Sequence, residues 1–423
     1  MSKHFFLVRS LGMAFLFGLT LIGCAPQSTT EKSASVQNGK LIKSEKIAEF
    51  DTAKLSKILN EEMEQFLTGS KKPFAELKGK YHTPINGVTL YKLTYQTSIP
   101  EKDNKPAEVT GLVAIPTSFA AGTPMVSYQH GTVFGKGEVP SNIEESMETK
   151  LMLGQFGGQG YIVIAADYVG LGSDSTNGNS YFSRKSTEQA CLDMYKAAQE
   201  FLGQQKIQVG NFFTMGWSQG GYNTLTFLRR LEQEKIPVAA TLTAAAPPDL
   251  LYFIGHGILN RRPIDAPWIP AALSNLLFSY ENYGGLTGLP ERAIRSEYLQ
   301  TAKDFYAFKI GFMDFFQKTP QVAADFLKPE FVDAFRLGSD PLCSALNSAE
   351  GFRWRSDVPL RSFYGESDEA VPVDLAMFLV QYQTGLGKKN GELVNAGANA
   401  DHRATYAVAL TEAKNWFDGF IKK

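Results

Sequence analysis

The chain has 423 residues, with 42 Lys and Arg against 43 Asp and Glu, 43% hydrophobic and 12% aromatic residues, and 38 glycines. That composition excludes a disordered chain, a coiled coil and a collagen-like fibre, and it supplies ample apolar side chains for a core. A net charge of −1 argues against nucleic acid as a partner, because phosphate binding calls for a clearly basic surface.

In chain order, the first segment reads as a targeting sequence and not as part of the fold. Lys3 and Arg9 supply a basic start, and 11–22 is an apolar stretch too short and too Gly-broken for a comfortable membrane span. It closes in Leu21-Ile22-Gly23-Cys24, which resembles the bacterial lipobox, where the Cys is diacylated and becomes the mature N-terminus. That resemblance implies a lipoprotein signal peptide over 1–23, lipidation at Cys24 and the lipid bilayer as a partner. It also implies a place in the bacterial cell envelope, at the outer membrane or on the periplasmic side. Each buried CH₂ contributes roughly 0.8 kcal/mol and one chain binds only reversibly, so a stable anchor takes several. Residues 24–50, with a Ser/Thr/Lys-rich run over 27–38, read as a flexible tether.

A helix is expected next, because Leu55, Ile58, Leu59, Met63, Phe66 and Leu67 recur at helical spacing behind Asp51 or Thr52 as N-cap. Strand and helix signals then alternate. Residues 88–96 and 108–115 read as an antiparallel pair across the turn-rich 100–106. A short apolar strand, 125–129, ends at His130-Gly131, and 161–166 is a continuous apolar run of the kind buried on both faces of a parallel sheet. Helix 187–202, strand 211–216, helix 219–233 and strand 238–245 follow. Strands return only at 360–364 and 393–398, around a helix at 373–384, before a last helix over 404–421. Alternating βα units predict an α/β fold with a mostly parallel central sheet and helices on both faces.

The stretch 248–358 is aromatic, Pro-rich and without a convincing strand. It predicts a helical cap inserted between a first core part, 51–247, and a second, 359–423. Phe305, Phe308, Phe312 and Phe316 fall close to one helical face there, either packing the cap onto the core or lining an acyl groove. Cys191 and Cys343 have no CxxC or His-rich surroundings, so no metal site is expected; they are either a disulfide or two buried thiols.

Strand 211–216 runs into Gly216-Trp217-Ser218-Gln219-Gly220-Gly221, and a helix begins at once. This is G-x-S-x-G between a strand and a helix, where the Ser occupies a strained turn and small flanking residues let the backbones pass closely. Here the chain resembles the α/β-hydrolase superfamily, and more narrowly its secretory lipase and esterase branch with a helical cap. Tyr128-Gln129-His130-Gly131-Thr132, Asp167-Tyr168-Val169-Gly170-Leu171-Gly172 and Ala246-Pro247-Pro248-Asp249-Leu250 resemble that branch's oxyanion loop, post-strand loop and cap entrance. The resemblance spans roughly residues 80–420 and implies an α/β-hydrolase fold.

A serine hydroxyl needs a base to take its proton as it attacks. Of five histidines, His4 lies in the leader, His82 precedes the first sheet strand, His130 sits in the loop where the family places oxyanion-hole residues, and His256 lies in the cap. His402 follows the last strand and fits the Ser…Asp/Glu…His order. Asp368, in Gly365-Glu366-Ser367-Asp368-Glu369-Ala370-Val371-Pro372, resembles the family's acid turn, and Asp249 is the alternative acid. Asp401 is too close to His402 in sequence, while Glu366 and Glu369 are expected to face solvent. The oxyanion hole is expected from the N–H of Gln219 and that of Gly131 or Thr132, with Thr132 preferred. The reading is a carboxylic-ester hydrolase acting without cofactor or metal on a small-molecule or lipid ester, short to medium acyl chains favoured. A serine peptidase of the same fold, or a non-catalytic surface-anchored binding lipoprotein, are the alternatives.

Overall fold

A computed structural model describes residues 37–421, so the leader, the lipobox with Cys24 and most of the run 27–38 lie outside the described residues. The described chain begins with strand β1 (Leu41–Phe50) and one helical run, α1 (Thr52–Lys57), a π-helical turn Ile58–Glu62 and α2 (Met63–Phe66). Asp51 is the N-cap, its carboxylate accepting the Lys54 N–H at 2.7 Å. Strands β2 (Val88–Ile99) and β3 (Lys105–Pro116) form the long hairpin, followed by β4 (Thr123–Gln129), α3 (Met147–Gln155) and β5 (Ile162–Ala166). Next come α4 (Arg184–Gln204), β6 (Val209–Trp217), α5 (Gln219–Gln233) and β7 (Ala240–Ala244). From there to the next strand the chain is helical: α6 (Leu250–Leu259), α7 (Ile269–Asn282), α8 (Leu289–Ala293), α9 (Ser296–Tyr306), α10 (Phe312–Lys318), α11 (Ala323–Phe326), α12 (Pro329–Arg336) and α13 (Pro341–Ser348). Strand β8 (Leu360–Tyr364), α14 (Val373–Gly385), β9 (Gly391–Asn395) and α15 (His402–Asp418) complete it.

Among the described residues, nine strands make one sheet in the order β1-β2-β3-β5-β4-β6-β7-β8-β9. From β5 to β9 all neighbours are parallel, while β1, β2 and β3 run antiparallel along one edge. Alternate residues of the central strands point to opposite faces. Val126, Tyr128, Val163, Phe213 and Met215 pack with α1, α3 and α15. Met125, Ile162, Ile164 and Phe212 pack with α4 and α5 on the other face. Both faces are therefore covered by helices, as the βα alternation predicts. A third apolar cluster joins the helices between β7 and β8. Among the described residues no helix is long and apolar enough to cross a membrane.

Two expectations need correction, and the open alternative for the two cysteines closes on separate buried thiols. The tether does not extend to residue 50, because 41–50 is strand β1, paired antiparallel with β2. Its charged side chains mimic a linker in composition, but they belong to an edge strand, where Lys43, Glu45, Lys46 and Glu49 stay in water and guard the open edge. Phe305, Phe308, Phe312 and Phe316 do not share one helical face: α9 ends at Tyr306, Phe308 turns the chain at φ 55°, and Phe312 and Phe316 ride on α10. Cys191 and Cys343 are both free and buried, in different apolar clusters.

Candidate active site

The chemistry-bearing residues lie where the parallel strands end. Strand β6 leads into Ser218, β4 into His130–Thr132, β8 into the turn of Asp368, and β9 into His402. The crevice beyond the carboxyl ends of parallel strands is where open α/β sheets bind ligands.

Ser218 sits at φ 58° and ψ −125°, between the last residue of β6 and the first of α5. A side chain pays to hold that conformation, and such strain persists only where the surroundings enforce it. Here the Ser218 N–H donates to Ala244 O of β7 (2.9 Å) and its C=O accepts from Tyr222 N in α5 (3.2 Å). The flanking glycines are required for space. A Cβ at Gly216 would stand 2.2 Å from Gly220 O, and one at Gly220 would stand 1.9 Å from Gln129 O.

The structure brings His402 and Asp368 together. His402 Nδ1 lies 3.0 Å from each carboxylate oxygen of Asp368, and both residues are buried. Asp368 Oδ1 also accepts the N–H groups of Ala370 (2.9 Å) and Val371 (2.8 Å), so the carboxylate is oriented from behind. Burial pulls the His402 imidazolium down, but the Asp368 charge and hydrogen bond, helped by Glu369 and Asp401, outweigh it and hold its pKa above the usual value. The Nε2 edge has no hydrogen-bond partner among the described residues, Ser218 Oγ included. Nucleophile–base bonds are often long before substrate binds. Trp217, just before the Ser, donates its indole N–H to His402 O (3.1 Å) and lies against the imidazole, ring centroids 4.9 Å apart.

Two carboxylates take parts the spacing did not anticipate. Glu369 is half-buried and engaged: its Oε2 accepts the main-chain N–H of His402 (2.9 Å). Asp249 makes no bond to His402. It caps α6 through the Tyr252 N–H (3.0 Å) and meets Arg353 at 3.4 Å. Asp401 likewise caps α15, and Glu366 is exposed beside Asn395.

On the oxyanion side, Gly131 is removed from the list of donors. Its N–H is already given to both oxygens of Glu148, at 3.1 and 3.0 Å. The N–H groups of Thr132 and Gln219 have no partner among the described residues, and Gln219 begins α5, where first-turn N–H groups lack intrahelical acceptors. Thr132 Oγ1 is tied to Tyr181 Oη (2.9 Å). Glu148 is a residue sequence reasoning missed, because α3 carries no amphipathic period: every residue from 148 to 155 is buried. Burial pushes the Glu148 carboxyl up to about 7, against the opposing pull of the Tyr128 hydroxyl (2.6 Å) and the Gly131 N–H.

The helices between β7 and β8 reach the acid turn. Arg262 Nη2 donates to Asp368 O (2.8 Å) and Ala266 N–H to Glu369 O (2.9 Å). Buried Asp265 fixes Arg262, accepting its Nε at 2.7 Å, and also contacts His256 Nε2 at 3.0 Å. His256 is thus engaged away from the Ser. Phe134, in the loop after β4, stacks on Phe312 at 4.8 Å and touches Phe305 and Trp268. An apolar cavity of about 30 Å³ lies between Tyr181, Phe253, Trp268, Leu273 and Ala370. His130 is buried, stacked on Tyr168 at 4.1 Å and pushed down to about 4 by burial, so it is neutral. His82 is half-buried, its Nε2 without a partner among the described residues.

Residues 148–240 match the prolyl oligopeptidase family of peptidases. No curated protein matches the chain. A Legionella pneumophila protein with an inferred hydrolase assignment is similar at TM-score 0.80, with 21% identity over 90% of this chain and 98% of its own. The rice cell wall degrading esterase LipA of Xanthomonas oryzae, in a ligand-bound form, gives 0.75 and 18% over 91% and 97%. Candida antarctica lipase A in its closed state gives 0.64 and 16% over 92% and 84%. These likenesses show the α/β-hydrolase fold.

Proposed function

We propose that the protein is a serine hydrolase that cleaves carboxylic esters through an acyl-enzyme intermediate. The carrying observation is the strained Ser218 at the β6–α5 junction, with the His402–Asp368 pair at neighbouring strand ends. In this reading His402 Nε2 takes the Ser218 proton as Oγ attacks the acyl carbon, then gives it to the departing alcohol. Asp368 holds the Nδ1–H tautomer and stabilises the imidazolium. The N–H groups of Gln219 and Thr132 take the charge that develops on the acyl oxygen. Water, deprotonated by the same His402, then releases the acid. The similarity to an esterase and a lipase supports this class.

The helical segment between β7 and β8 acts in this reading as a cap over the acyl chain. The cavity of about 30 Å³ beside Tyr181 and Ala370 holds little more than one water's share of volume. Each methylene buried there adds roughly 0.8 kcal/mol of binding until the walls intervene. With p-nitrophenyl esters from acetate to palmitate, kcat/KM is expected to rise through the short acyl chains and then fall. A maximum at palmitate would overturn the closed pocket and leave an open lipase groove.

A peptidase is the second reading, favoured by the family match over 148–240. Paired ester and aminoacyl-amide substrates of the same acyl group separate the two, and a faster amide would reverse the assignment. We also propose that Cys24 is the diacylated N-terminus that holds the enzyme at the cell envelope. The intact mass of membrane-extracted protein tests this: a chain starting at Cys24 with the added acyl mass is expected, and an unmodified Cys24 would refute it.

A further inference from the structure

Gly131 is held from two sides. Its N–H is taken by the buried Glu148 carboxylate, and its C=O by His130 Nδ1 at 2.9 Å. Neutral His130 has one ring proton for two carbonyls, Gly131 O at 2.9 Å from Nδ1 and Asp167 O at 3.4 Å from Nε2, and the much shorter contact favours the Nδ1–H form. The Gly131 C=O and the Thr132 N–H belong to one planar peptide and point in opposite directions. Fixing the carbonyl therefore aims the Thr132 N–H. Tyr128 Oη donates to Glu148 Oε2 at 2.6 Å, and Tyr406 Oη donates to the Glu148 main-chain oxygen at 2.9 Å. The carboxylate is thus held by Tyr128 of β4 and by Gly131, while Tyr406 of α15 fixes the main chain that carries it. No step in the ester mechanism uses it.

We propose that Glu148 is a positioning residue of the oxyanion hole: its carboxylate holds Gly131 so that the Thr132 N–H is presented to the acyl oxygen. The inference rests on the serine-hydrolase reading of the site. It also makes the hole sensitive to pH. The groups that face Glu148 are Tyr128 on β4, Tyr406 and His402 on α15, and Glu138 in the loop after β4, with Glu145 and Arg403 around the same depression. Two donors already point at the carboxylate, so a proton on it costs an acceptor position and loosens Gly131. With the carboxyl titrating at about 7, this happens as pH falls through neutrality. His402 must also be deprotonated to act as base, so two protons are taken up on the acid side, in two macroscopic steps that belong to the pair, because a charged His402 favours a charged Glu148.

The test compares wild type, Glu148→Ala and Glu148→Gln, using p-nitrophenyl butyrate across pH and the rate of Ser218 labelling by a fluorophosphonate. Alanine is expected to lower kcat by about 10²-fold, the scale of a lost oxyanion donor, with KM nearly unchanged and labelling slowed in step. Glutamine keeps an acceptor for Gly131, so it is expected to recover much of that rate. Its acid limb should fall with one proton where the wild type's falls with two. An alanine variant within about threefold of wild type in both readouts would overturn the proposal. If the alanine variant does not fold, the glutamine variant decides: an acid limb identical to wild type overturns it. A wild type labelled at Ser218 but inactive on esters would remove the ester reading alone, and the labelling rates would still judge Glu148. An unlabelled wild type overturns both.

Discussion

Replacing Ser218 with alanine is expected to lower kcat for ester hydrolysis by about 10⁶-fold, because losing the nucleophile of a triad costs nearly as much as losing the whole unit. The fold is expected to survive. The main-chain bonds that pin the turn, from Ser218 N to Ala244 O and from Tyr222 N to Ser218 O, do not involve the hydroxyl. Alanine retains a Cβ, so it carries the same strain at φ 58° as the serine does. Ser218→Gly is the informative companion: equally inactive, and more stable by about 1–2 kcal/mol because the left-handed conformation then costs little. Thermal unfolding of the three proteins measures this. A Ser218→Ala protein with more than a percent or so of wild-type kcat would remove Ser218 as the nucleophile.

Asp368→Asn is expected to cost about 10⁴-fold in kcat with little change in fold. The two main-chain N–H groups of Ala370 and Val371 already point at Oδ1, so they select the orientation of the new side chain. The amide oxygen takes that place, and the NH₂ group is turned toward His402 Nδ1. A donor then meets a donor, the imidazole moves its proton to Nε2, and the nitrogen that should receive the Ser218 proton no longer can. Asp249→Asn is the contrasting control. Asparagine caps a helix about as well as aspartate, so α6 keeps its cap and only the part-exposed pair with Arg353 is weakened. Its kcat is expected within about threefold of wild type. Steady-state kinetics on both variants decide between the two carboxylates, and a severe Asp249→Asn beside a mild Asp368→Asn would reverse them.

The parts of this architecture that sequence reasoning reached are those whose cause is local. The run into Gly216-Trp217-Ser218-Gln219-Gly220 announces a buried strand, a forced turn and a helix, because the backbones pass so closely that a Cβ at Gly220 would stand 1.9 Å from Gln129 O. What escaped has a distant cause. Strand β1 is polar because it is an edge, and its partner lies about 40 to 50 residues onward in β2. Helix α3 shows no apolar stripe because it is buried all round. Glu148 and Glu369 look like surface residues until the fold brings Gly131 and His402 to them. The aromatic series from Phe305 to Phe316 was misleading in the opposite sense, since a turn at Phe308 breaks the helix that its spacing implies.

The bonds from Arg262 and Ala266 to the carbonyls of Asp368 and Glu369 bear on how such enzymes can be recombined. A helical insertion between two strands looks transplantable, and exchanging it between relatives is an obvious route to new substrate preference. In this chain the insertion carries part of the scaffolding of the acid turn. A graft that replaces 262–266 removes the donors to two carbonyls beside the His402 partner, whatever it does for the proposed acyl pocket. A chimera that keeps Arg262, Asp265 and the Ala266 main chain while replacing α7 to α13 preserves that scaffolding. The natural crossover point therefore lies a short way inside the insertion, after residue 266, and not at its ends.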